Sequence, residues 1–382
     1  MNAERIASFV DPVIDGAIAD RRLVGAVVLI DLEGRPLYRR AAGMADREAG
    51  APMRVDTIFR LASLTKPIVT AAAMAMIERG RLSIDDPVAR WLPAFTPKLK
   101  DGSTPLLTVR HLLTHTGGLG YGFIEPLDGA YHRAGVSDGL DMPGRSMEEN
   151  LRRLAGVPLL DPPGARWRYS VGLDVLGAVL AGAAGKSLGE VVQQYVTDPL
   201  GMPDTAFAVR DRDRLAAAYA DGPQGAVRMG ARHVVPFAGL AGIAFAPDRI
   251  FDEGSFPSAG AGMAGTGPDM MRVLEAIRQG GGAVVSPSMA EQMMRNQTGD
   301  LPLDLAGPGW GFGFGGAVLV DPAAAGTPQS PGTWRWGGVY GHTWFVDPVR
   351  ELTVVGMTNT AIEGMAGQYT IDLRDAVYRA LG

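Results

Sequence analysis

Arg60-Leu61-Ala62-Ser63-Leu64-Thr65-Lys66-Pro67 sets a serine and a lysine three positions apart, directly ahead of an apolar run. On a helix, positions i and i+3 share a face, so the Ser63 hydroxyl and the Lys66 amine can meet without help from distant loops. A hydroxyl beside an amine is a nucleophile beside its base. Pro67 lacks a backbone N–H and is tolerated mainly in a first turn, so the helix is expected to begin close to Ser63. Ile68-Val69-Thr70-Ala71-Ala72-Ala73-Met74-Ala75-Met76-Ile77 then carries it to Gly80, a C-terminal stop. Ser63 would thus lie where free N–H groups and the helix dipole favour a developing oxyanion. Such a short spacing also arises by chance, so its meaning rests on the residues that accompany it.

Outward from this stretch, strand patterns occupy both ends of the chain. Val24-Gly25-Ala26-Val27-Val28-Leu29-Ile30-Asp31 and Pro36-Leu37-Tyr38-Arg39-Arg40-Ala41 flank Glu33-Gly34-Arg35, a hairpin signal. Trp334-Arg335-Trp336, Thr343-Trp344-Phe345-Val346-Asp347 and Leu352-Thr353-Val354-Val355-Gly356-Met357 are short, aromatic or β-branched and turn-bounded. Residues 64–235 read as helical and loop-rich, broken at Pro87, Pro93, Pro143 and Pro162-Pro163. A first helix carries Ile6, Phe9, Val10, Val13, Ile14, Ala17 and Ile18 on one stripe, and a last one is expected over about residues 370–381. The expectation is an α+β fold: an antiparallel sheet from residues 1–70 and 236–382, flanked by the terminal helices, with residues 71–235 inserted as a mainly helical domain and the active site in the cleft between.

Composition agrees with that organisation. A chain of 382 residues exceeds one compact core. Its 46% hydrophobic and 20% charged residues are ordinary for a globular protein. A net charge of −5 without a basic cluster argues against nucleic-acid or anionic-membrane partners. Zero cysteines exclude disulfides, thiol catalysis and thiolate-bound metals. The first helix is broken by Asp11 and Asp15, unlike a signal-peptide core, and no apolar run approaches the roughly 20 residues that span a bilayer. A cytoplasmic protein without cofactor or metal is expected; its oligomeric state is not legible.

Several motifs carry a plainer reading. Gly135-Val136-Ser137-Asp138-Gly139 matches the nucleophile elbow of α/β-hydrolases, but no strand precedes it, so Ser137 is expected in a loop turn. His111 and His115 have the i, i+4 spacing of a zinc helix but lack its glutamate; His115 is expected to bond the Thr116-Gly117-Gly118 turn. Gly260-Ala261-Gly262-Met263-Ala264-Gly265 fits a dinucleotide fingerprint without the preceding strand, and reads better as a turn into a Thr266–Asp269 capping box and a helix from Met270. Trp310-Gly311-Phe312-Gly313-Phe314-Gly315-Gly316 fits a pocket wall or a glycine-relieved core strand equally well.

Two further stations keep Ser63 company. Arg166-Trp167-Arg168-Tyr169-Ser170 follows an Asp161-Pro162-Pro163-Gly164 turn and leads into a helix, a junction from which a tyrosine can point its hydroxyl into a cleft. Near the end, Trp336-Gly337-Gly338-Val339 sits at a strand whose glycines allow an acyl group close to the backbone. Tyr121, Phe123 and Trp344 are candidates for the pocket wall.

In this order, the three stations resemble the serine β-lactamase and penicillin-binding superfamily, and within it the family VIII carboxylesterases. That pattern has Ser-x-x-Lys, then Tyr-x-Asn or a variant, then Lys-Thr-Gly or His/Trp-x-Gly. Leu82-Ser83-Ile84-Asp85-Asp86-Pro87-Val88, Leu112-Leu113-Thr114-His115-Thr116-Gly117-Gly118-Leu119 and Gly338-Val339-Tyr340-Gly341-His342 match as well, so the likeness runs from about residue 20 to 380. The resemblance implies a β-lactamase-like fold, Ser63 as the acylated nucleophile, and Lys66 and Tyr169 as its proton partners. It also implies an oxyanion hole from the N–H groups of Ser63 and Val339, with Trp336, Gly337 and Gly338 along the substrate. Whether Lys66 or Tyr169 is the main base stays open. An amine base must be kept neutral by burial, whereas a charged lysine leaves the task to an ionised tyrosine.

Departures from the pattern matter. Val171 replaces the asparagine of the tyrosine motif, and Trp336-Gly337-Gly338 replaces Lys-Thr-Gly. An indole in place of a cation suits a neutral ester better than a β-lactam. Short-chain acyl esters are therefore the expected substrates. The same serine would serve a β-lactamase, a D-amino-acid peptidase or an acyltransferase. A non-turnover acyl-binding protein is the alternative from another class; it would give a burst without a steady state.

Overall fold

The hairpin expected at Glu33-Gly34-Arg35 forms, with Glu33 (φ 53°) and Gly34 (φ 74°) both in the left-handed region that a tight two-residue turn demands. The computed structural model describes residues 2–237 and 239–382. Strand Gly25–Leu32 pairs with Arg35–Asp46 on one side and with Leu352–Thr358 on the other, in a register that sets Ala26 opposite Thr358 and Ile30 opposite Val354. Eight strands form the main sheet. From one edge they run Trp310–Phe312, Ala317–Leu319, Trp334–Gly338, His342–Asp347, Leu352–Thr358, Gly25–Leu32, Arg35–Asp46 and Ala51–Pro52, each antiparallel to the next.

Both faces of this sheet are covered, which explains why its central strand is almost continuously apolar rather than alternating. Ala26, Val28 and Ile30 pack with Ile6, Val10 and Ile14 of the first helix, Ala3–Ala19, and with Leu373, Ala376 and Val377 of the last, Gln368–Leu381. Val27 and Leu29 join the larger core that holds the serine helix, Thr65–Glu78. That helix is buried from Thr65 to Met76, so it has no polar face. Pro67 sits in its first turn, and a short 3-10 turn, Ala62–Leu64, precedes it.

The stretch 64–235 is less purely helical than its composition implies. Tyr219–Ala220, Val227–Arg228 and His233–Val235 are strands, the first pairing in parallel with Thr360–Ala361. At two or three residues they are too short to show an alternation. Farther along, Ala264–Thr266 is a strand paired with Ile58–Arg60, so the glycine-rich segment lies against the serine turn. The helix after it starts at Gly267 rather than Met270. Thr266 caps it by accepting the Asp269 N–H, but the Asp269 carboxylate turns instead to Asp204 N and Thr205 Oγ1, so only half of the expected capping box forms. Among the described residues, no single helix is long and apolar enough to cross a membrane.

Candidate active site

The turn that presents Ser63 is held from outside. Leu61 N–H donates to Met263 O at 2.8 Å, and Leu64 N–H closes back on Leu61 O at 3.1 Å. Ala62 between them takes φ 47°, a left-handed conformation unusual for alanine. Ser63 itself is buried to 7% exposure at the mouth of the serine helix.

Three side chains meet at this hydroxyl. Lys66 Nζ lies 3.2 Å and Tyr169 Oη 2.7 Å from Ser63 Oγ. Trp336 Nε1–H donates to Tyr169 Oη at 3.1 Å, so the strand bearing Trp336 and the junction bearing Tyr169 are tied at the reacting atom. Lys66 also donates to Tyr121 Oη at 3.1 Å and to Gly260 O at 2.8 Å, and its ammonium stands 4.7 Å from the Tyr169 ring centroid. Three donors meet three acceptors, the full complement of an ammonium group. Burial pushes the Tyr121 phenol well above its ordinary range, so it stays protonated beside Lys66.

The shell around Lys66 traces to Asp174. Its Oδ1 accepts Ser258 Oγ–H at 2.6 Å and Gly260 N–H at 3.1 Å, which holds in place the residue whose carbonyl faces the lysine. Burial raises its proton affinity above that of an ordinary carboxylate. The sequence motifs give neither Asp174 nor Gly260 a part in the site. A carbonyl has no side-chain signature, and the glycine run reads simply as a turn.

A cavity of about 400 Å³ opens from Ser63 and Tyr169, walled by Phe123, Phe237, Trp336, Gly337 and Val339. Trp344 lines it deeper, packed edge-on to Trp334 with centroids 4.6 Å apart. Two expectations need correction. Tyr121 does not line the cavity; its ring stacks under Phe123 at 4.8 Å and its hydroxyl serves Lys66. Gly338 stands behind the wall, where a Cβ would come within 2.5 Å of Leu61 O. Its role is close approach of the strand to the serine turn, which brings Val339 to the cavity beside Ser63.

The remaining motifs support this wall. Ser137 is a buried loop residue whose hydroxyl donates to Asp141 Oδ1 at 2.6 Å. Its neighbour Asp138 accepts the N–H groups of Gly122 and Phe123 at 2.8 and 3.0 Å, holding the loop that carries Phe123. His115 departs from expectation: its Nδ1 pairs with Ser170 Oγ at 3.1 Å and its ring lies 4.9 Å from that of Tyr169. The glycine turn is bonded by the His111 carbonyl instead, which accepts Thr116 N–H, while the His111 ring caps its own helix at Thr108. Phe312, on the edge strand, is fully buried against Trp336 at 5.4 Å.

An antiparallel sheet covered by the terminal helices, with a buried helix opening onto a serine on its other side, is a β-lactamase-like fold. The chain belongs to the Beta-lactamase family, which it matches over residues 10–379. It is 52% identical to Esterase EstB of Burkholderia gladioli over 99% of this chain and 96% of that one. Lovastatin esterase of Penicillium rubens is 28% identical over 95% of each chain. Among solved structures, EstCE1, described as a hydrolase with promiscuous acyltransferase activity, superposes with a TM-score of 0.94 at 46% identity, covering 98% of this chain and 99% of its own.

Proposed function

We propose that this chain is a serine carboxylesterase that hydrolyses short-chain acyl esters through an acyl-enzyme on Ser63. The observation that carries this reading is the convergence of Lys66 and Tyr169 on one buried hydroxyl at the mouth of an apolar cavity. Ser63 Oγ attacks the ester carbonyl as its proton passes to Tyr169. In this route Tyr169 acts as the phenolate, 2.7 Å from Ser63 Oγ and holding the Trp336 N–H, and Lys66 as the cation beside it. The N–H groups of Ser63 and Val339 hold the oxyanion, each contributing on the order of 3 kcal/mol to the transition state. Tyr169 returns its proton to the leaving alkoxide, then draws one from the water that releases the acid.

The same acyl-enzyme can pass its acyl group to an alcohol, and the apolar wall favours such an acceptor over water. The relative EstCE1 is described with that side activity. We read residues 1–70 and 236–382 as one unit and 71–235 as an insert, with Ser63 reached from both through Trp336 and Tyr169. A cytoplasmic location, with no nucleic-acid or membrane partner, belongs to the same reading and rests on composition alone.

A fluorophosphonate probe followed by intact mass spectrometry tests the nucleophile. One adduct is expected on wild type and Ser137→Ala, and none on Ser63→Ala. Labelling that survives Ser63→Ala and disappears with Ser137→Ala overturns the assignment. Adding an alcohol to the ester assay then partitions the acyl group between acid and new ester.

A further inference from the structure

The cavity continues past the serine. Its far wall comprises Gln329, Arg335, Phe345, Ile371 and Arg374, where the last helix faces the strand carrying Arg335. The Arg335 guanidinium lies over the Trp310 ring, 3.9 Å from its centroid. A stacked guanidinium keeps its N–H edge free for in-plane partners. Among the described residues, however, Arg335 makes no ion pair, and its side chain donates to no acceptor. Arg374 is already balanced by Asp375 at 2.7 Å. Gln329 is 2% exposed, and its Nε2 has no partner among the described residues, although its Oε1 accepts Thr327 Oγ1–H. Burial and the neighbouring Arg374 charge hold the Arg335 guanidinium down at about 10.

The half-buried Arg335 guanidinium is open to the cavity and free to take an acceptor from it, and a buried donor such as Gln329 Nε2 is costly without one. We propose that this far end is a carboxylate subsite, in which Arg335, with Gln329 and Arg374 beside it, receives an acid group carried by the ester at the end remote from the scissile bond. The inference rests on the esterase reading above. With Arg374 paired to Asp375, Arg335 is the one uncompensated positive charge among the described residues of this wall; it balances a monoanion, which favours a carboxylate over a phosphate dianion. Arg335 and Val339 are four residue steps apart along this strand and its end, roughly 13 Å at 3.3 Å each. An acyl chain of several methylenes is therefore needed to bridge the two ends. Near the scissile bond the site stays free of such a demand, since Trp336 stands there.

The test compares p-nitrophenyl hydrogen suberate with its neutral methyl ester at low ionic strength. Wild type should prefer the anionic ester, mainly through KM, and added salt should erode that preference. In Arg335→Gln the ratio of the two kcat/KM values should fall about tenfold, the scale of one charge-assisted hydrogen bond, and Arg335→Lys should restore part of it. A ratio unchanged by both salt and Arg335→Gln overturns the subsite, as does a wild-type preference for the methyl ester. Should neither ester turn over, the esterase reading fails, and suberate binding to Ser63→Ala protein by calorimetry decides the subsite separately. Adding Arg335→Gln to that protein should weaken binding about tenfold. Equal affinities, or inorganic phosphate competing as well as suberate, overturn it.

Discussion

At Ser63 the reaction turns on where one proton goes, and three substitutions separate the possible routes. Tyr169→Phe keeps the ring and removes the acceptor, so steady-state ester turnover should fall by about 10²–10⁴-fold. Lys66→Ala should cost a similar factor. Trp336→Phe keeps an aromatic wall but deletes the donor 3.1 Å from Tyr169 Oη, and should lower kcat by about tenfold. A Tyr169→Phe enzyme with near-normal turnover would end the proton route drawn through the phenol. The serine and lysine are legible in the sequence because one helical turn brings them together. Tyr169 needs the resemblance as well as its place at a junction. Gly260 escapes both readings, since it acts through a carbonyl that any residue would carry.

The strand Trp334–Gly338 meets the serine turn at the scale of whole elements, with no room to spare. A methyl group at Gly338 would sit 2.5 Å from Leu61 O and 3.0 Å from Leu64 Cδ1. Gly338→Ala must therefore push the strand off the turn and carry the Val339 N–H away from the oxyanion. The expected result is a fall in kcat on the order of tenfold to a hundredfold with KM little changed, measured on a p-nitrophenyl ester. Retained kcat would remove the strand from the oxyanion argument. The paired glycines hint at close approach from sequence alone, but not at what approaches. Leu61, the partner, lies far away in the chain and enters only through the fold. Similar reasoning explains His115: the motif around it is local, whereas its partner, Ser170, belongs to the tyrosine station.

Over the whole molecule, acid is the condition that tests the packing. His342 is fully buried, its Nε2 bonded to Arg60 O at 2.9 Å, and burial lowers its pKa from 6.5 to about 4. His115 is displaced in the same direction by burial and by the Lys66 charge. A folded state that binds its proton later than the unfolded chain holds full stability above pH 6.5. It loses that stability as pH falls from there to about 4. For His342 alone the loss is on the order of 3 kcal/mol. Urea unfolding at a series of pH values should show this decline, and His342→Gln should flatten it. An unchanged slope in that variant would assign the acid sensitivity elsewhere. The layered architecture itself is legible in the placement of strand patterns at both ends. The two-residue strands between are not, because only their partners make them strands.

The register that sets Ala26 against Thr358 has a consequence during synthesis. The interior strand Gly25–Leu32 leaves the ribosome long before its neighbour on one side, Leu352–Thr358. Until then the nascent chain holds a hairpin with one open edge and an apolar face lacking the final helix. Such contacts close late and slowly, since more than 300 residues must be looped to form them. Slower translation or a lower growth temperature should therefore raise the yield of folded enzyme more than changes to its already buried core.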